Sequence, residues 1–176
     1  MQTSVVMTML GPDRPGLVES LSAVVARHGG NWVESNMSHL AGHFAGILRI
    51  QVPRQHEAAL IADLRGLETT RELKVIVQPS SETAPTTGYQ SVLVDLVGHD
   101  RPGIVSEISR IFADRKINVE ELDTQCTSAP MSADALFKAT ARLRVPGDVD
   151  VDDLRRDLEN IAAEMMIDIF VEPDSE

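Results

Sequence analysis

The side chains best placed to do chemistry in this chain fall in one hexapeptide that occurs twice. Gly11-Pro12-Asp13-Arg14-Pro15-Gly16 returns 87 residues later as Gly98-His99-Asp100-Arg101-Pro102-Gly103. Gly11 and Gly98 permit a tight turn or the close approach of a ligand. Gly16 and Gly103 are expected in the first turn of a helix, where a missing side chain opens access to backbone N–H groups. Those unpaired donors and the helix dipole favour an anion such as a carboxylate. Asp13 and Asp100 place a carboxylate beside them, suited to a cationic amine. Arg14 and Arg101 belong to the same candidate set. Asn31 and Asn118 stand 18 residues after each Asp, at the start of the next strand. If that strand lies beside the first, each amide returns to the loop and can donate and accept at once. Donors next to a carboxylate are what the zwitterionic head of an α-amino acid requires.

A structural role competes with this one. Asp ahead of a helix is commonly an N-cap, worth about 1 kcal/mol, and Gly and Pro are ordinary turn formers. Descent from a duplicated ancestor could preserve a purely structural loop. The residues alone leave both readings open.

The elements around each loop are legible. Thr3 to Leu10 is β-branched and apolar and predicts a strand. Leu17, Val18, Leu21, Val24 and Val25 lie on one helical face; Pro15 presets the start and Gly29-Gly30 stops the helix. Asn31 to His39 and His43 to Val52 predict two strands around a Leu-Ala-Gly turn. A helix follows over Gln55 to Gly66, then a strand over Leu73 to Val77. The second copy repeats this order: strand Tyr89 to Val97, helix Pro102 to Arg115, strands Asn118 to Thr127 and Ala133 to Val145. It closes with helix Asp150 to Ala163 and strand Met166 to Val171. Ser128-Ala129-Pro130-Met131-Ser132 makes its hairpin loop six residues longer than the first.

This β-α-β-β-α-β order predicts an α+β fold: two tandem ferredoxin-like βαββαβ domains, each a four-stranded antiparallel sheet with both helices on one face. The expected domains are 1–79 and 89–174, joined by a Ser-, Thr- and Pro-rich linker over 80–88. The uncovered sheet face and the free edges predict that the two copies associate with each other or with a second chain, as a homodimer or higher oligomer.

Composition bounds the function. Acidic residues outnumber basic ones 27 to 16, for a net charge of −11. Nucleic-acid affinity comes largely from Lys and Arg displacing counterions, so direct binding to DNA or RNA is not expected. No apolar run approaches the roughly 20 residues of a membrane helix, and the first residues show no signal peptide. The single cysteine, Cys126, excludes an internal disulfide and fits a reducing compartment, with cytoplasm the default. A buried or half-buried, inert thiol is the favoured reading of Cys126. His39 and His43 flank a hairpin turn and with one cysteine make no zinc set. His99 replaces Pro12 and is expected in solvent. Glu120, Glu121 and Asp123 predict a solvated strand edge. No catalytic constellation, metal site or cofactor motif is visible.

The strand, Gly-x-Asp-Arg-Pro-Gly-(Leu/Ile)-Val loop, apolar helix and following Asn resemble the ACT domain over nearly the whole chain. A free-standing pair, with Asn31-Trp-Val-Glu-Ser35 and the Ala129-Pro130 loop, is most similar to the glycine cleavage system transcriptional repressor family. The resemblance implies amino-acid binding at the first loop and helix start, across a domain interface, by Asp13, Gly16, Asn31, Asp100, Gly103 and Asn118. It further implies a non-enzymatic regulator without cofactors, glycine as ligand, and a protein partner such as a transcription activator. The alternative is a regulatory or oligomerisation subunit of an enzyme of amino-acid metabolism.

Overall fold

The computed structural model describes residues 1–80, 88–128 and 135–174. The chain divides into two compact units, Met1–Ala84 and Pro85–Glu176. The first contains β1 (Gln2–Pro12), α1 (Leu17–Arg27), β2 (Asn31–Leu40) and β3 (His43–Pro53). A single 3-10 turn (Arg54–His56), α2 (Glu57–Arg71) and β4 (Lys74–Pro79) complete it. The second repeats the order as β5 (Tyr89–His99), α3 (Ile104–Asp114), β6 (Asn118–Ser128), β7 (Ala135–Pro146), α4 (Val151–Met165) and β8 (Ile167–Pro173).

Each sheet is antiparallel with its first strand in the interior: β2-β3-β1-β4 and β6-β7-β5-β8. The period-2 pattern in β1 explains why. Val5, Met7 and Met9 are buried, and they meet Leu48, Ile50 and Val52 of β3, the α1 residues Leu17, Leu21, Val24 and Val25, and Leu60 and Leu64 of α2 in one core. The intervening positions face away: Leu10, Ile47 and Ile76 are all exposed. Both helices therefore cover one face and leave the other open, as a helix must bury its apolar stripe against a layer. The second unit builds the same core from Val94, Leu96, Ile108, Phe112, Leu143 and Leu158.

Local chemistry sets the boundaries. The first hairpin turns on Ala41 and Gly42, both at positive φ (50° and 78°), the geometry that matches the twist of flanking strands. α2 runs five residues past Gly66, because Leu67 still lands on the buried stripe. It ends at Glu72, in the left-handed region at φ 57°. α4 starts on Asp150, whose carboxylate accepts from the Asp152 N–H at 2.8 Å. The linker expected over 80–88 and the longer second hairpin loop around Ala129-Pro130 lie largely outside the described residues.

Candidate functional site

The two hexapeptides occupy the same place, the connection from the end of β1 to α1 and from β5 to α3. In each, the Asp backbone N–H is tied to the neighbouring hairpin: Asp13 to the Gly42 carbonyl at 2.9 Å, Asp100 to the Ala135 carbonyl at 2.8 Å. The Asp side chains are exposed.

Neither Asp caps its helix. The cap positions are Gly16 (φ 86°) and Gly103 (φ 101°), and no side chain bonds to the helix start. The glycines thus stand just ahead of the first helical turn, in a left-handed conformation that costs other L-residues roughly 1–2 kcal/mol. A Cβ there would meet nothing within 4 Å. Backbone dihedral, not crowding, selects glycine.

Gly11 and Gly98 have a different reason from the one expected. A Cβ on Gly11 would stand 2.7 Å from Leu73 Cδ2 and 2.9 Å from the Glu72 carbonyl oxygen. On Gly98 it would collide with Ile167. These glycines let the segment that opens each unit's last strand approach the first strand, so they are packing residues and leave no room for a ligand there.

The asparagines are not brought to their own loops. β3, and not β2, lies beside β1. Asn31 pairs with Gln51, which pairs with Ser4 at the far end of β1. That is roughly 25 Å from the loop at 3.3 Å per residue. Asn118 sits equivalently, through Arg144, beside Ser91.

What reaches the loop instead is the other end of the same strand. His39 Nε2 lies 3.6 Å from the Asp13 carboxylate, and Cys126 stands beside Asp100. Cys126 is exposed, not buried or half-buried as expected, because it lies on the edge strand β6. Partial desolvation, and after it the Asp100 carboxylate, still push its thiol above the ordinary 9.0, the direction of an unreactive thiol. His39 and Cys126 are separated by the same 87 residues as the hexapeptides. Extending that offset past the loop is the signal that would have found this pair.

The arginines differ between units. Arg14 pairs with Glu72 at the end of α2. The residue at the matching end of α4 is Met166, also left-handed at φ 52°, and it offers no carboxylate. Arg101 has no ion pair among the described residues, and its Nε is buried without a hydrogen-bond partner. His99 is exposed, as expected.

A second difference lies under the helix that follows the loop. In the first unit Trp32 and Met37 of β2 pack against the core. Val119 and Thr124 take those positions in β6. There an apolar cavity of about 40 Å³ opens between α3, β6 and the sheet, bounded by Ile104, Val105, Phe112, Val119, Leu122 and Ala139. Among the described residues no group of His, Cys, Asp and Glu has metal-binding geometry. No helix of the described residues is long and apolar enough to cross a membrane.

Split β-α-β units with helices on one sheet face define the ferredoxin-like class, here with one loop of shared chemistry per unit. Within that class the chain belongs to the ACT domain family, whose models match residues 3–78 and 92–163. The protein MK1213 of Methanopyrus kandleri is 30% identical over 80 residues, covering 46% of this chain and 83% of that protein. Two solved structures share the fold over the full length. One is a protein of unknown function from Galdieria sulphuraria, with TM-score 0.84, 23% identity and 99% and 100% of the two chains covered. The other is provisionally designated a glycine cleavage system transcriptional repressor, with TM-score 0.74, 19% identity and 100% and 99% covered.

Proposed function

We propose that the chain is a non-enzymatic regulator that binds a free α-amino acid at its loops and transmits the bound state through protein contacts. The observation that carries this is the loop aspartate. Asp13 and Asp100 are exposed at helix starts, and each helix is capped by a glycine whose missing side chain leaves the first N–H groups unscreened. A carboxylate next to open donors complements an ammonium and a carboxylate on one carbon. The designation carried by one structural relative supports regulation of transcription or of amino-acid metabolism, with glycine as the ligand it suggests.

Asn31 would join such a site only from a different unit, of the same chain or of a second copy. β2 is a sheet edge. Antiparallel pairing of two β2 edges would bring the start of one strand, with Asn31, beside the end of the other, where Asp13 stands. Ligand binding would then be coupled to association, which is how a sensor without catalytic groups can act. The net charge of −11 favours a protein partner over nucleic acid.

Calorimetric titration of the full chain with the twenty amino acids tests this reading. Binding by at least one is expected, lost in the Asp13→Ala/Asp100→Ala double variant at unchanged melting temperature. Binding by none would remove the sensor. A second reading, an oligomerisation subunit of an amino-acid-metabolism enzyme, is favoured by the long exposed edges β2 and β6. It expects a stable oligomer by sedimentation equilibrium whose assembly ignores every amino acid.

A further inference from the structure

We propose that the second unit alone takes the ligand's side chain, and that the ligand is an α-amino acid with an aliphatic side chain of three or four carbons. This rests on the loops being amino-acid sites, as argued above, and replaces glycine as the ligand. Three differences between the two copies carry it.

The first is the cavity. It lies under α3, directly after the loop, and its walls are carbon apart from Ser109. A volume of about 40 Å³ has room for roughly three water-sized groups, which suits an isopropyl or isobutyl group and is too small for an indole. An apolar cavity has no partners to offer water, so filling it with hydrocarbon is favourable.

The second is its mouth. Val105, Val119 and Leu122 are partly exposed around it, so the cavity opens between the helix and the free edge strand. In the first unit Trp32 stands where Val119 does, and Met37 lies across Gly46, with its Cγ 2.7 Å from where a Cβ would be. Thr124 and Ala139 are the matching pair in the second unit. At the matching positions the first copy carries the bulky Trp32 and Met37, packed on its core, and the second the smaller Val119 and Thr124.

The third is charge. Arg14 is engaged by Glu72, whereas Arg101, three residues before the cavity wall at Ile104, is unpaired among the described residues. The second loop therefore retains a guanidinium for a ligand carboxylate and the Asp100 carboxylate for its ammonium. In the first loop the exposed Glu72 carboxylate competes with a ligand for Arg14.

The test is calorimetry on the full chain with leucine, isoleucine, valine, methionine and glycine, using wild type, Val119→Trp, Thr124→Met and Trp32→Val. The aliphatic amino acids are expected to bind at least tenfold more tightly than glycine, since each methylene in an apolar pocket is worth a factor of 10 or more. Val119→Trp and Thr124→Met each weaken that binding at least tenfold, and Trp32→Val leaves it unchanged. Thr124 is exposed, so its variant keeps the fold should tryptophan at 119 disrupt it. Glycine binding as tightly as leucine, or leucine binding untouched by both plugs, overturns the inference while the amino-acid reading survives. Leucine binding lost in Asp13→Ala but kept in Asp100→Ala overturns the assignment to the second unit. Binding by no amino acid removes both.

Discussion

Replacing Gly16 by Ala isolates what the loop demands of its backbone. Gly16 holds φ 86° and ψ 8°, and a Cβ added there meets nothing within 4 Å. Overpacking therefore contributes nothing, and the full cost is conformational. An L-residue pays about 1–2 kcal/mol in this region. The only offset is the smaller entropy of the unfolded alanine chain, itself a fraction of 1 kcal/mol to about 1 kcal/mol. A net loss of about 1 kcal/mol is expected. In a unit of this size that lowers the melting temperature by roughly 4–8 °C. Thermal unfolding by circular dichroism measures it. Gly16→Asn separates the mechanism, because Asn tolerates left-handed φ far better than Ala and should recover about half the loss. An unchanged or raised melting temperature in Gly16→Ala would refute a fixed left-handed cap. Equal losses for Asn and Ala would refute dihedral strain as the cause.

Other perturbations probe separate links. Asp150→Ala removes a cap that bonds the Asp152 N–H and should cost the second unit about 1 kcal/mol. Asp13→Ala, which caps nothing and loses only an exposed contact with His39, should cost about 0.5 kcal/mol or less by the same thermal assay. The Asp63 carboxyl, held below its ordinary 3.8 chiefly by the hydrogen bond from His28, favours the folded state above 3.8. That contribution is lost as pH falls through its lower folded value. Asp63→Asn should therefore narrow its stability deficit as denaturation is followed from pH 6 to pH 2. The thiol of Cys126 should alkylate more slowly at pH 8 than a free cysteine. Asp100→Asn should speed it only in part, because desolvation is the larger cause of its raised value. Leu143→Ala, at a fully buried site of the second core, should cost about 2–5 kcal/mol, read from chemical denaturation.

The amino-acid sequence by itself determined the repeat, the order of elements and most of the core. Those are local properties. Alternation in Val5, Met7 and Met9 and the helical stripe of Leu17, Leu21 and Val25 persist whatever the chain does elsewhere. The hexapeptide was equally plain as a point of shared chemistry. Its individual roles were not, because they depend on what comes back from a distance. α1 carries the chain some 16 Å back along β1, so Asn31 starts its strand at the end remote from Asp13, and β3 then takes the place beside β1. The same arrangement returns His39 and Cys126 to the loops, residues that carry no signal in isolation. Gly11 and Gly98 are glycine because Leu73, just before β4, and Ile167, at the start of β8, press on them, which no window around the loop reveals. Packing also decided that two nearly identical loops differ. A tryptophan and a methionine on the neighbouring strand, and a glutamate at the end of the second helix, close the first copy. Their replacements leave the second with a cavity and with Arg101 unpaired among the described residues. Pattern is set by neighbours in sequence, whereas access to a loop is set by whichever side chains the tertiary fold places across from it.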